Sequence, residues 1–242
     1  MKRIMYVGRS FTKQFVGLCI AIVLLASCKK SNDNYVRTPV AGIMAFNLAV
    51  DKPAVGFTLS GNYLGNTALA YTNYTGSYLP IYTGTRDLNA IDVNTSLTLA
   101  STTGNFADSG YYSTFLLGAN GSYKNVLVED KLLPLTVASG KAWVRYINAV
   151  PDSTVGLNVT VASNGESVIS ESAGYGHVSS FVQVNAGSVN TSISNGGSIT
   201  ANRAITLEEN KVYTVLFVGL PNQTDQALGV QVKFIQNGIV TP

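Results

Sequence analysis

IMAFNLAVDKPAVGFTL, residues 43–59, and WVRYINAVPDSTVGLNV, residues 143–159, open two copies of one unit, and their correspondence decides the fold. At one constant offset Phe46 meets Tyr146, Ala49 meets Ala149 and Val50 meets Val150. Val55-Gly56 then meets Val155-Gly156, and Leu59 meets Val159. Further on, SYLPIYTGT from Ser77 parallels SFVQVNAGS from Ser180, LTL at Leu97 parallels ITL at Ile205, and YYSTFLLG from Tyr111 parallels VYTVLFVG from Val212. The offset drifts by a few residues, and the first copy carries a longer connection from Ser101 to Gly110. Self-similarity on this scale marks a duplicated folding unit.

Each copy reads as about seven short strands. In the second these are Trp143–Ala149, Val155–Ala162, Ser167–Ser170, Val178–Asn185, Ser188–Ser194, Ala204–Leu207 and Lys211–Gly219, with Val230–Ile235 adding an edge. Val189, Thr191 and Ile193 alternate with polar residues, as do Val178, Val182 and Val184, so one face is buried and the other wet. Ala186-Gly187, Asn195-Gly196-Gly197 and Glu208-Glu209-Asn210 punctuate the strands, and Asn164-Gly165 has hairpin chemistry. In the first copy the phase slips between Leu88 and Ile91–Val93, which predicts a bulge near Ala90. Short strands with turns every 8–12 residues, and no sustained 3.6-residue apolar period, predict an all-β chain of two tandem immunoglobulin-like β-sandwich domains.

The joint between the copies, Lys131-Leu132-Leu133-Pro134-Leu135-Thr136-Val137, is apolar. Leaving three leucines in water costs roughly 1.5–3 kcal/mol each relative to burial, so this segment is expected to pack on the sandwiches and hold them together. Trp143 beside it is expected to serve the same packing. The boundaries are residues 41–130 for the first repeat, 131–140 for the linker and 141–242 for the second repeat.

WVRYINAVPDSTVGLNV, GYGHVSSFVQVNAGS and ITLEENKVYTVLFVG together resemble the bacterial exported domain-of-unknown-function family 4397. The second copy follows that pattern throughout. The first departs from it at Asp51-Lys52-Pro53, where the second has Pro151-Asp152-Ser153, and in its region before Tyr111. The resemblance implies an immunoglobulin-like sandwich on an exported protein. It implies no activity and no catalytic residue.

Ahead of the repeats, Lys2, Arg3, Arg9 and Lys13 precede an apolar run from Phe15 to Ala26, the pattern of a signal peptide over residues 1–27. The run falls short of the roughly 20 apolar residues that span a bilayer. Leu25-Ala26-Ser27-Cys28 resembles a bacterial lipobox, which makes Cys28 the lipidation site and the mature N-terminus. Residues 28–40 then form a polar tether. Lys29 follows the cysteine instead of the aspartate that resembles an inner-membrane retention signal, so the outer membrane is favoured. The repeats face either the periplasm or the cell surface.

Cleavage changes the charge. Four of the 16 basic residues leave with the leader and none of the 13 acidic ones do, so the mature chain carries 12 against 13, a net charge of −1. No basic field remains for nucleic acid. Cys19 leaves as well, so no disulfide or cysteine metal site remains.

Catalytic chemistry is sparse. The one histidine, His177, rules out HExxH zinc sites and reads as a half-exposed strand residue. Glu129-Asp130 and Glu208-Glu209 are adjacent acids in turns, and neighbours on a strand point to opposite faces. Tyrosines are the one suggestive group. Tyr78, Tyr112 and their counterparts Phe181 and Tyr213 fall at matched inward positions, whereas Tyr63, Tyr71 and Tyr74 lack an aromatic counterpart and lie around loops. These three are the candidate ligand surface.

The expected function is a lipid-anchored envelope protein with a non-catalytic binding or adhesion role, directed at polysaccharide or another envelope protein. A structural assembly subunit and a carboxylate-based hydrolase are the alternatives. The expected partners are the membrane, through the lipid, and one of those two ligand classes, with no nucleic acid, no metal and no cofactor.

Overall fold

The computed structural model describes residues 37–151 and 156–241; the leader, Cys28 and most of the tether lie outside them. Pro39–Pro242 forms one compact unit. The first copy contributes β1 (Val40–Ala49), β2 (Val55–Leu59), β3 (Asn62–Tyr63), β4 (Leu79–Tyr82), β5 (Gly84–Asp92), β6 (Leu97–Phe106), β7 (Tyr111–Ala119) and β8 (Ser122–Glu129). The second contributes β9 (Lys141–Asn148), β10 (Leu157–Ser163), β11 (Glu166–Ala173), β12 (Val182–Asn185), β13 (Gly187–Ser194), β14 (Thr200–Leu207), β15 (Lys211–Val218) and β16 (Gln231–Ile239).

Each copy is a sandwich of two four-stranded sheets. Order β4-β1-β7-β8 packs on β3-β2-β5-β6 in the first, and β12-β9-β15-β16 packs on β11-β10-β13-β14 in the second. The chain is all-β with two tandem sandwiches, as its turn spacing predicts. In both, the opening strand runs parallel to the strand after the last crossover, β1 with β7 and β9 with β15. Both sandwiches carry the tyrosine corner of immunoglobulin-like domains. The Ala107 N–H donates to the Tyr112 hydroxyl at 2.9 Å, and the Glu208 N–H donates to the Tyr213 hydroxyl at 3.1 Å.

Two local predictions from turn chemistry appear in the strands. The β5–β6 register shifts between Ala90 and Ile91, where the phase slip predicted a bulge. Asn164-Gly165 closes the β10–β11 hairpin with both residues at positive φ, a conformation Asn and Gly adopt with little strain.

Strands β1, β7, β9 and β15 differ from the rest: their apolar residues run almost without interruption and nearly all are buried. A strand reads this way when both of its faces are covered. The first sandwich is filled by Ile43, Ala45, Phe57, Leu88 and Leu116 among others, and the second by Val144, Tyr146, Val159, Ile193 and Phe217. A third core lies between the sandwiches, where Met44, Phe46, Leu48, Phe115 and Leu117 meet Ile147, Ala149, Leu216, Val218 and Ile235. The body is therefore four sheets deep, with the two inner sheets back to back.

That joint contains a buried ion pair. Arg145, 2% exposed, donates from Nη1 to Asp130 Oδ1 at 2.6 Å, from Nη2 to Ser113 Oγ at 2.9 Å and from Nε to Thr214 Oγ1 at 3.0 Å. Its guanidinium lies 4.4 Å over the Phe181 ring. Tyr78 and Ser113 hydroxyls both donate to Asp130 Oδ2 at 2.5 Å, and Thr214 donates to Asn237 Oδ1 at 2.6 Å. Burial and the Asp130 carboxylate push the Tyr78 hydroxyl far above the ordinary tyrosine range. A buried guanidinium with every face engaged fixes how the two sheets meet.

The structure corrects the alignment of the copies in two places. Asn47 and Asn148 are the true equivalents: each accepts the N–H of the residue two further on, Ala49 and Val150, and each donates its amide to carbonyls of the neighbouring segment. The offset in the opening strand is thus one residue more than the sequence match suggested. Phe46 faces the joint and corresponds to Ile147, whereas Tyr146 faces its own core and corresponds to Ala45. A slip of one residue in a strand reverses every side chain. Second, Ser101–Gly110 is not a long connection. Most of it belongs to β6, and Phe106, paired with Gly84, corresponds to Leu207, paired with Gly187.

The linker behaves differently from its prediction in one respect. Leu132 and Leu135 are half-buried and Trp143 Nε1 donates to the Thr136 carbonyl at 3.1 Å, but Leu133 is 74% exposed. The third core and Arg145, more than the linker leucines, join the sandwiches.

Candidate functional site

In the second sandwich the hairpin after β10 returns as the eight-residue β11, which covers the edge of the outer sheet. In the first, the return strand β3 stops after two residues; Leu64 still donates to the Phe57 carbonyl, and Gly65-Asn66-Thr67 then loops away before Leu69 pairs back with Val55. The shortened strand opens a groove of about 320 Å³ lined by Gly56, Tyr63, Asn66, Thr67, Thr75 and Val93, with Phe57 and Leu69 among its apolar walls. No charged side chain lines it.

Tyr63 is the exposed aromatic of this groove, 60% accessible. Its ring lies directly on the backbone of Gly56: a Cβ there would come within 2.8 Å of Cε1, and the Val93 methyl stands at 3.3 Å from the same point. The glycine thus lets the ring close on the backbone at the rim while more than half of the residue stays in water. Thr75 is held by two local bonds, accepting from the Ala45 N–H at 3.3 Å and donating to the Ser77 carbonyl at 2.9 Å. An aromatic plate beside neutral amide and hydroxyl groups can take the apolar face of a sugar ring while hydrogen-bonding its hydroxyls.

The other two tyrosines of the candidate surface have a different place. Tyr74 stacks on Phe46 at 5.4 Å, and Tyr71 packs against the same joint core with its hydroxyl pushed far up by burial. Tyr71 also has a counterpart. The Asn47 N–H donates to Asn73 and the Asn148 N–H to His177, and the hydroxyls of Thr75 and Ser179 accept equivalent bonds, which aligns Tyr71 with Tyr175. Tyr175 packs on the joint as well, its pKa pushed up to about 12 by burial. Tyr63 therefore stands in the groove, while Tyr71 and Tyr74 serve the packing of the sandwiches. Tyr78 and Phe181, the matched pair, flank the ion pair at the joint; Tyr112 and Tyr213 are buried.

Sequence reasoning missed Gly56, Asn66 and Thr67. Their signal was the turn-rich Leu64-Gly65-Asn66-Thr67, standing where the second copy continues its strand through Glu171-Ser172-Ala173.

His177 stands half-exposed, its Nε2 3.8 Å from Glu171 Oε1, which accepts the Tyr146 hydroxyl at 2.7 Å. Burial, then the Glu171 contact, push that hydroxyl well above the usual tyrosine range. Two further grooves, about 340 and 390 Å³, flank the joint; one carboxylate, Glu129, lines the second and none lines the first. Facing acid pairs, which glycoside hydrolysis requires, line none of the three grooves. Among the described residues no group of three His, Cys, Asp or Glu could hold a metal ion. Cys28 lies outside the described residues.

A family profile described as "Domain of unknown function (DUF4397)" matches residues 41–154 and again 142–232. No curated protein matches the chain. Among solved structures, CBMbc (family CBM26) from Eubacterium rectale Amy13K, crystallised in complex with maltoheptaose, aligns at 11% identity over 83% of this chain and 98% of its own, with a TM-score of 0.27. A similarity at that level carries no argument about ligand.

Proposed function

The chain belongs, through both of its repeats, to the domain-of-unknown-function family DUF4397, and we propose that this member is a non-catalytic envelope protein, held by a lipid on Cys28 to the outer membrane, that binds a neutral glycan in the Tyr63 groove. The observation that carries the reading is the Tyr63 ring resting on Gly56 at the rim of an uncharged groove, its outer side open to solvent. A neutral, amphipathic ligand of ring size matches that combination: apolar C–H groups on the aromatic plate, hydroxyls on Asn66, Thr67 and Thr75. A phosphate or nucleotide would find no cation there.

Titration of neutral oligosaccharides (gluco-, manno- and xylo-oligomers) into the full chain in detergent tests it. The wild type is expected to bind at least one series, and Tyr63→Ala to weaken that binding about tenfold or more, the equivalent of one lost contact of roughly 1.4 kcal/mol. No binding by the wild type, or an unchanged Kd in Tyr63→Ala, would remove the groove from the account. Incorporation of labelled palmitate that depends on Cys28 checks the anchor.

An assembly role is the second reading, and one feature favours it. The nine-residue β16 is an outermost strand of its sheet, paired with β15 alone, and Ile239 at its end is 61% exposed. Open edges recruit partner strands. A chain that stays monomeric across concentrations in light scattering, and pulls down no envelope protein, would end that reading.

A further inference from the structure

The outward face of the second sandwich is built differently from that of the first. Across its four strands, cross-strand neighbours fall in rows: Ser172, Asn158, Ser194 and Thr200 form one, and Ser170, Thr160, Ser192 and Asn202 the next. Every member is a small hydroxyl or amide side chain, exposed or half-exposed, and no charge or aromatic ring interrupts either row. Adjacent strands lie about 4.8 Å apart and like-facing residues along a strand about 6.7 Å, so the rows form a regular two-dimensional array.

The equivalent face of the first sandwich satisfies itself. Ser101 donates to Asn89 at 2.6 Å and Thr103 to Asp87 at 2.7 Å. Counted from Gly84 and Gly187, which begin the equivalent strands β5 and β13, Asp87 corresponds to Asn190 and Asn89 to Ser192. Their cross-strand partners Thr103 and Ser101 correspond to Ala204 and Asn202. The second copy has an amide in place of the carboxylate and a methyl in place of its hydroxyl donor. Among the side chains of the two rows, only Ser194 makes a hydrogen bond within the described residues, accepting from the Gly196 N–H. The remaining donors and acceptors face outward.

We propose that this array is a second binding surface, fitted to an extended neutral polysaccharide laid across the strands. Hydroxyls and amides both donate and accept, which matches a polyol and gives no advantage to an ion. Short side chains lose little rotamer entropy on contact. Each hydrogen bond contributes little net once exchanged against water, so the surface holds a polymer through many contacts and a short sugar hardly at all. That preference separates it from the Tyr63 groove. The two outer sheets lie at opposite ends of the four-layer body, so the chain presents a ring-binding groove on one end and a polymer-binding face on the other. The proposal shares with the groove reading only the choice of a neutral glycan.

Sedimentation of the full chain with insoluble cellulose, chitin and granular starch tests it. The wild type is expected to pellet with at least one of them. Asn158→Glu combined with Asn202→Glu places two carboxylates on exposed positions of the array and is expected to reduce the bound fraction about tenfold or more, because each charge must be desolvated against a neutral partner. The same variant keeps the oligosaccharide titration of the groove, which also shows that it is folded; Tyr63→Ala keeps the sedimentation. A wild type that pellets with none of the three polymers, or a double variant that pellets as well as the wild type, overturns the array without touching the groove.

Discussion

Asp130→Ala lowers the stability of the chain by about 3–5 kcal/mol, seen as a large fall in the urea midpoint of Trp143 fluorescence. Trp143 is the only tryptophan and stands beside the linker, so it reports on the joint. The cost comes from what is left behind. Asp130 and Arg145 are each 2% exposed, and without the carboxylate the guanidinium keeps only the Ser113 and Thr214 hydroxyls, while Tyr78 loses its acceptor. Arg145→Ala falls in the same range by stranding the carboxylate. Replacing both, Asp130→Leu with Arg145→Met, removes the desolvation cost of two ions and recovers most of the loss. The deficit of the pair is then far smaller than the sum of the singles. Single variants that cost under about 1 kcal/mol would show that the ion pair does not hold the joint.

Phe115→Ala costs about 3–5 kcal/mol by removing a fully buried ring from the third core. Phe115 stacks on Phe46 at 4.6 Å, and that core takes side chains from both copies. The more informative outcome is where the loss is felt. Amide exchange in β9 and β15 of the second copy accelerates together with that in β1 and β7, because the inner sheets open as one cooperative unit. Acceleration confined to β1 and β7 would mean that the second sandwich does not depend on the first.

Duplication with divergence explains why the joint is specific. By register, Met44 corresponds to Arg145, Ser113 to Thr214 and Asp130 to Asn237. One copy supplies the anion and the other the cation. Two first copies would bring Asp130 against Met44, with no cation to meet it, so the tandem pair is favoured over a pair of identical units.

The strand content, the duplication, the Ala90 bulge and the Asn164-Gly165 hairpin were legible because each depends on local chemistry: alternation, turn residues and positive φ. That the sandwiches are joined was read from the apolar linker; their back-to-back packing was not, although its sign was present in the nearly continuous apolar runs of IMAFNLAV and VLFV, which a one-sided strand does not need. Alignment by resemblance matched Phe46 with Tyr146 because both are aromatic. The hydrogen bonds of Asn47 and Asn148 decide the register, and a buried asparagine in an apolar run was the available clue. Tyr63 was legible as a loop aromatic without a counterpart. Tyr71 and Tyr74 shared that pattern, but the loop that carries them folds back onto the joint, a tertiary fact that spacing does not encode. The hydroxyl array was hidden because serine and threonine at alternating positions read as ordinary solvated strand.

The account rests on two sandwiches fused into one four-layer body that leaves its outer ends for ligand. Differential scanning calorimetry tests this most directly. Folded domains unfold with about 0.7 kcal/mol per residue near 60 °C, so a body of about 200 residues absorbs about 140 kcal/mol. The prediction is a single transition whose van't Hoff enthalpy matches that calorimetric value. Two transitions, or a van't Hoff enthalpy near about 70 kcal/mol, would mean that the sandwiches melt independently, and would contradict it.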